Sequence, residues 1–331
     1  MRNPFVIALL ALFVMLILSL AIGSVFIPPD ELWRVIRGVS SNDTFRTILW
    51  DIRLPRTVLI ALVGAALAGS GAAYQGLFRN PLADPYLIGV ASGAGLGAIL
   101  AMSIRWPYTM LGLLAVPLAA FLSSLLTVYI VYMMARIGSS VPTTNLILAG
   151  VAVSSFAVSL TSFLMLRSTG EVRRAIGWLL GGVSLVGWDT TLALIPYLAI
   201  GMATLVLGGY ALNLLQFGDD QATQMGLNVR RAKFIIIIAA SLVTAAAVSF
   251  AGIIGFVGLV VPHIVRIWWG VDYRRLIPLS ILGGASVLLF ADVLARIVLA
   301  PQELPVGIVT ALAGAPFFLW VLRRSKNQGL W

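Results

Sequence analysis

The stretch DIRLPRTVLIALVGAALAGSGAAYQGLFRNPLADPYLIGVASGAG, Asp51 to Gly95, decides the fold. It holds an uncharged run from Thr57 to Phe78, a short polar turn, and the start of a second run from Tyr86 to Ile104. About 20 apolar residues carry an α-helix across the hydrocarbon of a bilayer, whereas a barrel strand needs about half as many. Runs of the longer kind recur along the whole chain. With 60% hydrophobic and 10% charged residues among 331, too little polar surface is left to clothe a soluble globule. The sequence therefore reads as an all-α integral membrane protein. No soluble tract interrupts the helices, so a single transmembrane domain over residues 1–331 is expected.

About ten spans are predicted, over residues 5–27, 57–78, 86–104, 108–135, 143–166, 190–216, 234–250, 253–269, 276–299 and 304–322. The first run follows Arg2 and is too long for a signal-peptide core, so it reads as a retained helix. The Gly-rich piece from Ala175 to Trp188 reads as a surface helix. With the amino terminus inside, the 22 Lys and Arg residues divide twelve to ten in favour of the cytoplasm. Setting aside the long outer segment Pro28 to Arg56 makes the division twelve to five. This orientation places both termini in the cytoplasm.

The net charge of +10 is spread over loops and helix ends rather than gathered on an aromatic-bearing patch, which argues against nucleic acid as a partner. No cysteine is present and His263 is the sole histidine, so no metal site is expected. Lys233 and Lys326 are the only lysines and neither follows a glycine, so there is no nucleotide-binding G-x-x-x-x-G-K-[ST] loop. No carboxylate lies near a span centre. Asp292 sits toward the outer end of its span, one turn before Arg296, a spacing for an ion pair. His263, in VVPHIVR, is read as a helix-terminal contact rather than a catalytic base. The chain is thus expected not to be an enzyme and to hold no cofactor. A passive channel, an ion-coupled carrier and a permease driven by a separate ATPase all remain open.

Two patterns suit transport. Gly89, Gly93 and Gly97 share one face of the third span, as close helix contact requires. Ser155, Ser159 and Ser162 share a face of the fifth, with Asn145 and Thr161 nearby. Such a stripe lines an aqueous path, or its hydroxyls bond back to their own helix. A charged island, GDDQATQMGLNVRRAK from Gly218 to Lys233, interrupts the hydrocarbon and reads as a docking surface.

Five strings narrow the choice: Asp51 to Gly95, GWLLGG at 177–182, GDDQATQMGLNVRR at 218–231, GIIGFVGLVVPHIVR at 252–266, and ELPVGIVTALAGAPFFLWVLRR at 303–324. In this order, over nearly the whole chain, they resemble the FecCD-type permeases of ATP-binding-cassette (ABC) importers for iron chelates, haem and vitamin B12. The resemblance implies the BtuC-like fold of type II importer permeases. It also implies a homodimer in the inner (cytoplasmic) membrane with two cytoplasmic ATPase subunits, which bind ATP and Mg, and an extracytoplasmic substrate-binding protein. An iron chelate, siderophore or haem, is the expected cargo. Cobalamin is the alternative, since the double glycine of WLLGG resembles vitamin B12 permeases.

The same resemblance gives residues their roles. Asp219, Asp220, Ala222, Met225, Gly226, Arg230 and Arg231 fall in the ATPase-coupling loop of short helices, with Gly226 at the turn. Arg53, Arg56 and Arg296 match positions that receive acidic residues of the binding protein. The path and its gate are assigned to Ser139, Ser140, Thr143, Asn145, Ser155, Ser159 and Ser162. Gln75, Asn80, Pro81, Pro85, Gly89, Pro262 and His263 are structural positions of the motif strings.

Overall fold

The computed structural model describes residues 3–39, 42–104, 106, 110–138, 141–167, 172–183 and 187–326. In chain order the helices are α1 (Pro4–Ala21), α2 (Pro29–Ile36), α3 (Asp43–Thr47), α4 (Leu54–Leu77), α5 (Val90–Met102), α6 (Met110–Ala135), α7 (Thr143–Arg167) and α8 (Val172–Leu179). They continue as α9 (Trp188–Leu207), α10 (Gly209–Leu215), α11 (Asp219–Gln224), α12 (Val229–Ala251), α13 (Val257–Trp269), α14 (Tyr273–Ile297) and α15 (Val306–Lys326). A π-helical turn, Ile48–Arg53, leads into α4, and a 3-10 turn, Pro85–Ile88, leads into α5. No β-strand forms among the described residues. Among the described residues, seven helices are long and apolar enough to cross a membrane, and three shorter apolar ones bring the set to ten. At eight residues, α8 is too short to cross.

The core is built around α4. Every residue from Val63 to Phe78 is buried, so this helix touches neighbours on all sides, among them α14, α12, α13, α9 and α10. Lipid offers no hydrophobic gain for helix association, so close packing must hold such helices together, and small residues permit it. A Cβ on Gly64 would run into the Gly284 carbonyl and lie 2.7 Å from Leu288 Cβ. A Cβ on Gly71 would meet the backbone of Gly258. Thus α4 lies backbone against backbone with α14 at one level and with α13 at another. Gly89, Gly93 and Gly97 do likewise against α6, facing Thr127, Ser123 and Ala119. Gly89 itself stands before α5, at φ 85°.

Two predicted spans are partly non-helical. The third begins in the 3-10 turn, and the eighth begins in extended chain at 252–256, so α5 and α13 have 13 residues each. Both are about 20 Å long, short of a hydrocarbon core of about 30 Å. Backbone that leaves the helix is tolerated there only if protein satisfies it. Tyr86 Oη donates to the Ile254 carbonyl at 2.8 Å, and Val306 N donates to the Gly181 carbonyl at 3.2 Å. Segments 177–182, 252–256 and 304–307 meet in one knot, where Gly181, Gly252 and Gly307 leave no room for a Cβ. The sixth predicted span is two helices, α9 and α10, joined at Gly208. The first helix ends at Ala21 rather than continuing to Ile27.

Gly71→Val should lower the melting temperature in detergent, with an overpacking cost of about 1–3 kcal/mol. Gly177→Ala should leave it unchanged, since nothing lies within 4 Å of that position; equal melting of the two variants would contradict this packing. A second test concerns Asp272, which caps α14. It accepts from Asn213 Nδ2 at 2.7 Å and from Arg274 N at 3.0 Å. The Asn213 bond first, and the Arg274 backbone bond after it, hold the Asp272 pKa below the usual carboxylate value. A depressed folded-state pKa contributes stability above the unfolded value, about 3.9, that is lost as pH falls through the folded one. The gap in melting temperature between wild type and Asp272→Asn should therefore narrow from about pH 5 to about pH 3.

Candidate functional site

The charged island forms an elbow. Gly218, at φ 104°, precedes α11, whose first turn carries Asp219 and Asp220 at the positive pole of the helix dipole. After Met225 the chain turns at Gly226, φ 87°, into α12, whose cap Asn228 accepts from Arg231 N at 3.0 Å. No atom lies within 4 Å of a Cβ on Gly226, so glycine is needed there for its left-handed backbone, not for space. One short helix stands here rather than a pair, because the second is the first turn of α12. Asp220, Met225 and Gly226 are exposed, and so are Phe217, Gln221 and Gln224, which the sequence reading omitted. Phe217, an aromatic directly before Gly218, was the available signal. Ala222 is fully buried, which corrects its placement on a contact surface: it anchors the elbow to the body. Asp219 is tied to Lys233 at 2.5 Å, fastening α11 to α12. Arg230 and Arg231 are exposed and line a groove between α12 and α6.

At the opposite end the three arginines expected to receive a partner's carboxylates are engaged internally. Arg53 is buried and donates to the carbonyls of Leu20, Ala21 and Val25. Arg296, also buried, donates to Ser19 O at 3.2 Å and to Ser19 Oγ at 3.0 Å. Together they satisfy the last carbonyls of α1, which its own helix cannot. Arg56 bridges Asp292 at 3.0 Å and Glu303 at 2.7 Å, and Arg296 Nε lies 3.0 Å from the other Asp292 oxygen. The expected Asp292–Arg296 pair is thus the centre of a four-residue cluster joining α4, α14 and the segment before α15. Guanidinium groups withdrawn from water must be paired, and the neighbouring helices supply the partners. Arg34, Arg37 and Arg46, on or beside α2 and α3, are exposed at this end, as are Arg167, Arg173 and Arg174 at the end of α7 and the start of α8.

Along α7, Ser155, Ser159 and Ser162 form an exposed stripe, while Thr161 is buried and Asn145 and Thr143 are half-buried. Each stripe hydroxyl donates to the carbonyl four residues back, at 2.9, 2.8 and 2.9 Å. The stripe is therefore polar only through the oxygens it leaves outward. Ser139 and Ser140 lie outside the described residues.

The motif positions make structural contacts. Gln75 Nε2 donates to the Leu259 carbonyl at 3.1 Å, and its Oε1 accepts from Arg266 at 3.1 Å, tying α4 to α13. Asn80 Oδ1 accepts from Leu82 N at 2.9 Å beside half-buried Pro81. Pro85 opens the 3-10 turn that Gly89 closes. Pro262 is buried within α13. His263 lies in the interior of α13 rather than at a helix end as expected, edge-on to Phe317 with its Nδ1 unbonded. No group of three His, Asp or Glu suited to a metal occurs among the described residues.

Comparison with known proteins agrees with this architecture. Residues 10–324 match the model of the FecCD transport family. The cobalamin import system permease protein BtuC of Halobacterium salinarum is 46% identical, over 87% of this chain and 76% of its own. The hemin transport system permease protein HmuU of Yersinia pestis is 40% identical, over 97% and 96%. A solved structure of a transporter assigned to the metal-chelate ABC type, in an inward-facing conformation, superposes with a TM-score of 0.83 at 28% identity, covering 97% of this chain and 98% of that one. The chain belongs to the FecCD transport family, as a multi-pass permease of the ABC importer kind.

Proposed function

We propose that this permease works as a homodimer in the cytoplasmic membrane, with both termini inside. Two cytoplasmic ATPase subunits, which bind ATP and Mg, power it, and an extracytoplasmic binding protein feeds it. The cargo is a metal chelate moved inward by alternating access. An iron chelate, siderophore or haem, is the sequence-based expectation and cobalamin the alternative; relatives named for hemin and for cobalamin support the class.

The observation that carries this reading is the exposed elbow at 217–226, a charged turn on a body otherwise made for hydrocarbon. The Asp219–Lys233 tie passes any push on α11 into α12, which packs against α4. The α7 stripe of one subunit facing its copy would give the path a wall without strong ligands. Such a wall suits a large solute that must also leave. Binding-protein docking falls to the exposed surface of α2 and α3, whose shape the buried arginine cluster maintains.

Three experiments follow. In proteoliposomes with the partner ATPase, Asp220→Arg combined with Met225→Ser should cut coupled uptake of the cognate chelate at least tenfold, about 1.4 kcal/mol, without lowering the melting temperature. Uptake that survives a catalytically dead ATPase, and stops when ion gradients collapse, would instead identify a secondary carrier. Arg37→Glu with Arg46→Glu should slow binding-protein association, the difference shrinking at high salt; an unchanged on-rate at low salt would remove α2 and α3 from the docking surface. Asp292→Asn leaves the buried Arg296 guanidinium without a carboxylate partner and should cost about 3–5 kcal/mol of stability, seen as a lower melting temperature; unaltered melting would show that the cluster does not clamp the fold.

A further inference from the structure

A groove of about 620 Å³ runs between α6 and α12 at the α11 end of the molecule. Its walls are apolar and open to the outside of the chain: Tyr129 and Met133 on α6, and Phe234 and Ile238 on α12, are all exposed. Tyr132, edge-on to Phe234 at 5.6 Å between centroids, closes its floor. The α6 wall extends from Leu125 to Arg136, about 16 Å at the helical rise. That is about half of a hydrocarbon core of about 30 Å. The groove therefore has the depth of one leaflet, not of the whole bilayer.

Its mouth is basic. Arg136 follows the last turn of α6, and Arg230 and Arg231 stand in the first turn of α12. Lys233 beside them is paired with Asp219, whereas no carboxylate pairs with any of the three arginines among the described residues. Nor does α12 carry an acid in its first turn, so Arg230 and Arg231 lie uncompensated at the positive pole of their helix. An anion at that point offsets both the pole and the side chains. Acyl chain below and negative charge at the rim are the two parts of one molecule, and basic pockets between membrane helices hold such headgroups.

We infer that this groove binds one anionic phospholipid of the leaflet at the α11 end, its phosphate among Arg136, Arg230 and Arg231 and an acyl chain along α6 and α12. Arg230 and Arg231 then serve the lipid rather than the ATPase surface. The test uses the full-length permease in phosphatidylcholine nanodiscs containing a minority of phosphatidylglycerol, with lipid retained on extraction counted by native mass spectrometry. Wild type should retain phosphatidylglycerol, and the triple variant Arg136→Gln, Arg230→Gln, Arg231→Gln should retain at least fivefold less. The exposed pair Arg274→Gln, Arg275→Gln should retain as much as wild type. Ile238→Trp, which fills the groove with the arginines intact, should also lower retention. Equal loss in the Arg274/Arg275 control would show diffuse charge attraction and overturn the site, as would full retention by Ile238→Trp. Displacement of the lipid by glycerol phosphate alone would show that the groove takes no acyl chain. If the triple variant keeps its lipid but loses the ATPase subunit in lipid-free detergent, the arginines belong to that partner and the inference fails.

Discussion

The direct approach of α4 to α14 and α13 is the constraint on which the other helices depend. A membrane helix gains little by exchanging lipid for protein unless the fit is closer than lipid can offer. Gly64 against Gly284 and Gly71 against Gly258 provide that fit, because each replaces a side-chain layer with backbone contact. The sixteen-residue stretch Val63–Phe78 is consequently enclosed on every side, and the remaining spans form a shell about it. Polar ties fix the shell at both ends: the arginine cluster holds α1 and α14 to α4, and Gln75 with Arg266 and Tyr273 holds α13 and α14.

Much of this was legible in the sequence, for a definite reason. Length of apolar run decides whether a segment can span, so nearly all spans were placed within a few residues. Glycine at a turn decides backbone conformation by itself, so Gly226 was readable as the turn. What could not be read is direction. Arg53, Arg56 and Arg296 are charges near a predicted surface, and only the tertiary fold brings α1 carbonyls, Asp292 and Glu303 within their reach. Ala222 carries no pattern that distinguishes an anchor from a contact. The apolar start of the eighth predicted span looked continuous with its helix, although Gly252 and Gly255 were the available warning of the extended segment. The serine stripe allowed two readings, and the geometry shows the hydroxyls bonded within their own helix while facing outward.

The permease is thus arranged as a stiff centre with specialised faces. The elbow projects at one end, α2 and α3 present basic residues at the other, and α7 offers a polar stripe at the side. Helix α12 links these parts: it begins at the elbow, borders the groove with α6, and packs on α4. The Asp219–Lys233 pair spans the 225–228 turn between α11 and α12, and α12 then runs unbroken to its contact with α4.

The serine stripe has a consequence for exchangeability. Because Ser155, Ser159 and Ser162 each donate to a carbonyl of their own helix, the stripe turns acceptor oxygens outward and, as the proposed wall of the path, would offer a chelate's carboxylate or phosphate oxygens no serine donor. A wall of that kind would sort solutes by bulk and leave their functional groups unread. A permease of this kind could be re-addressed to a new chelate by changing the soluble protein that delivers it, while its own membrane sequence stayed the same.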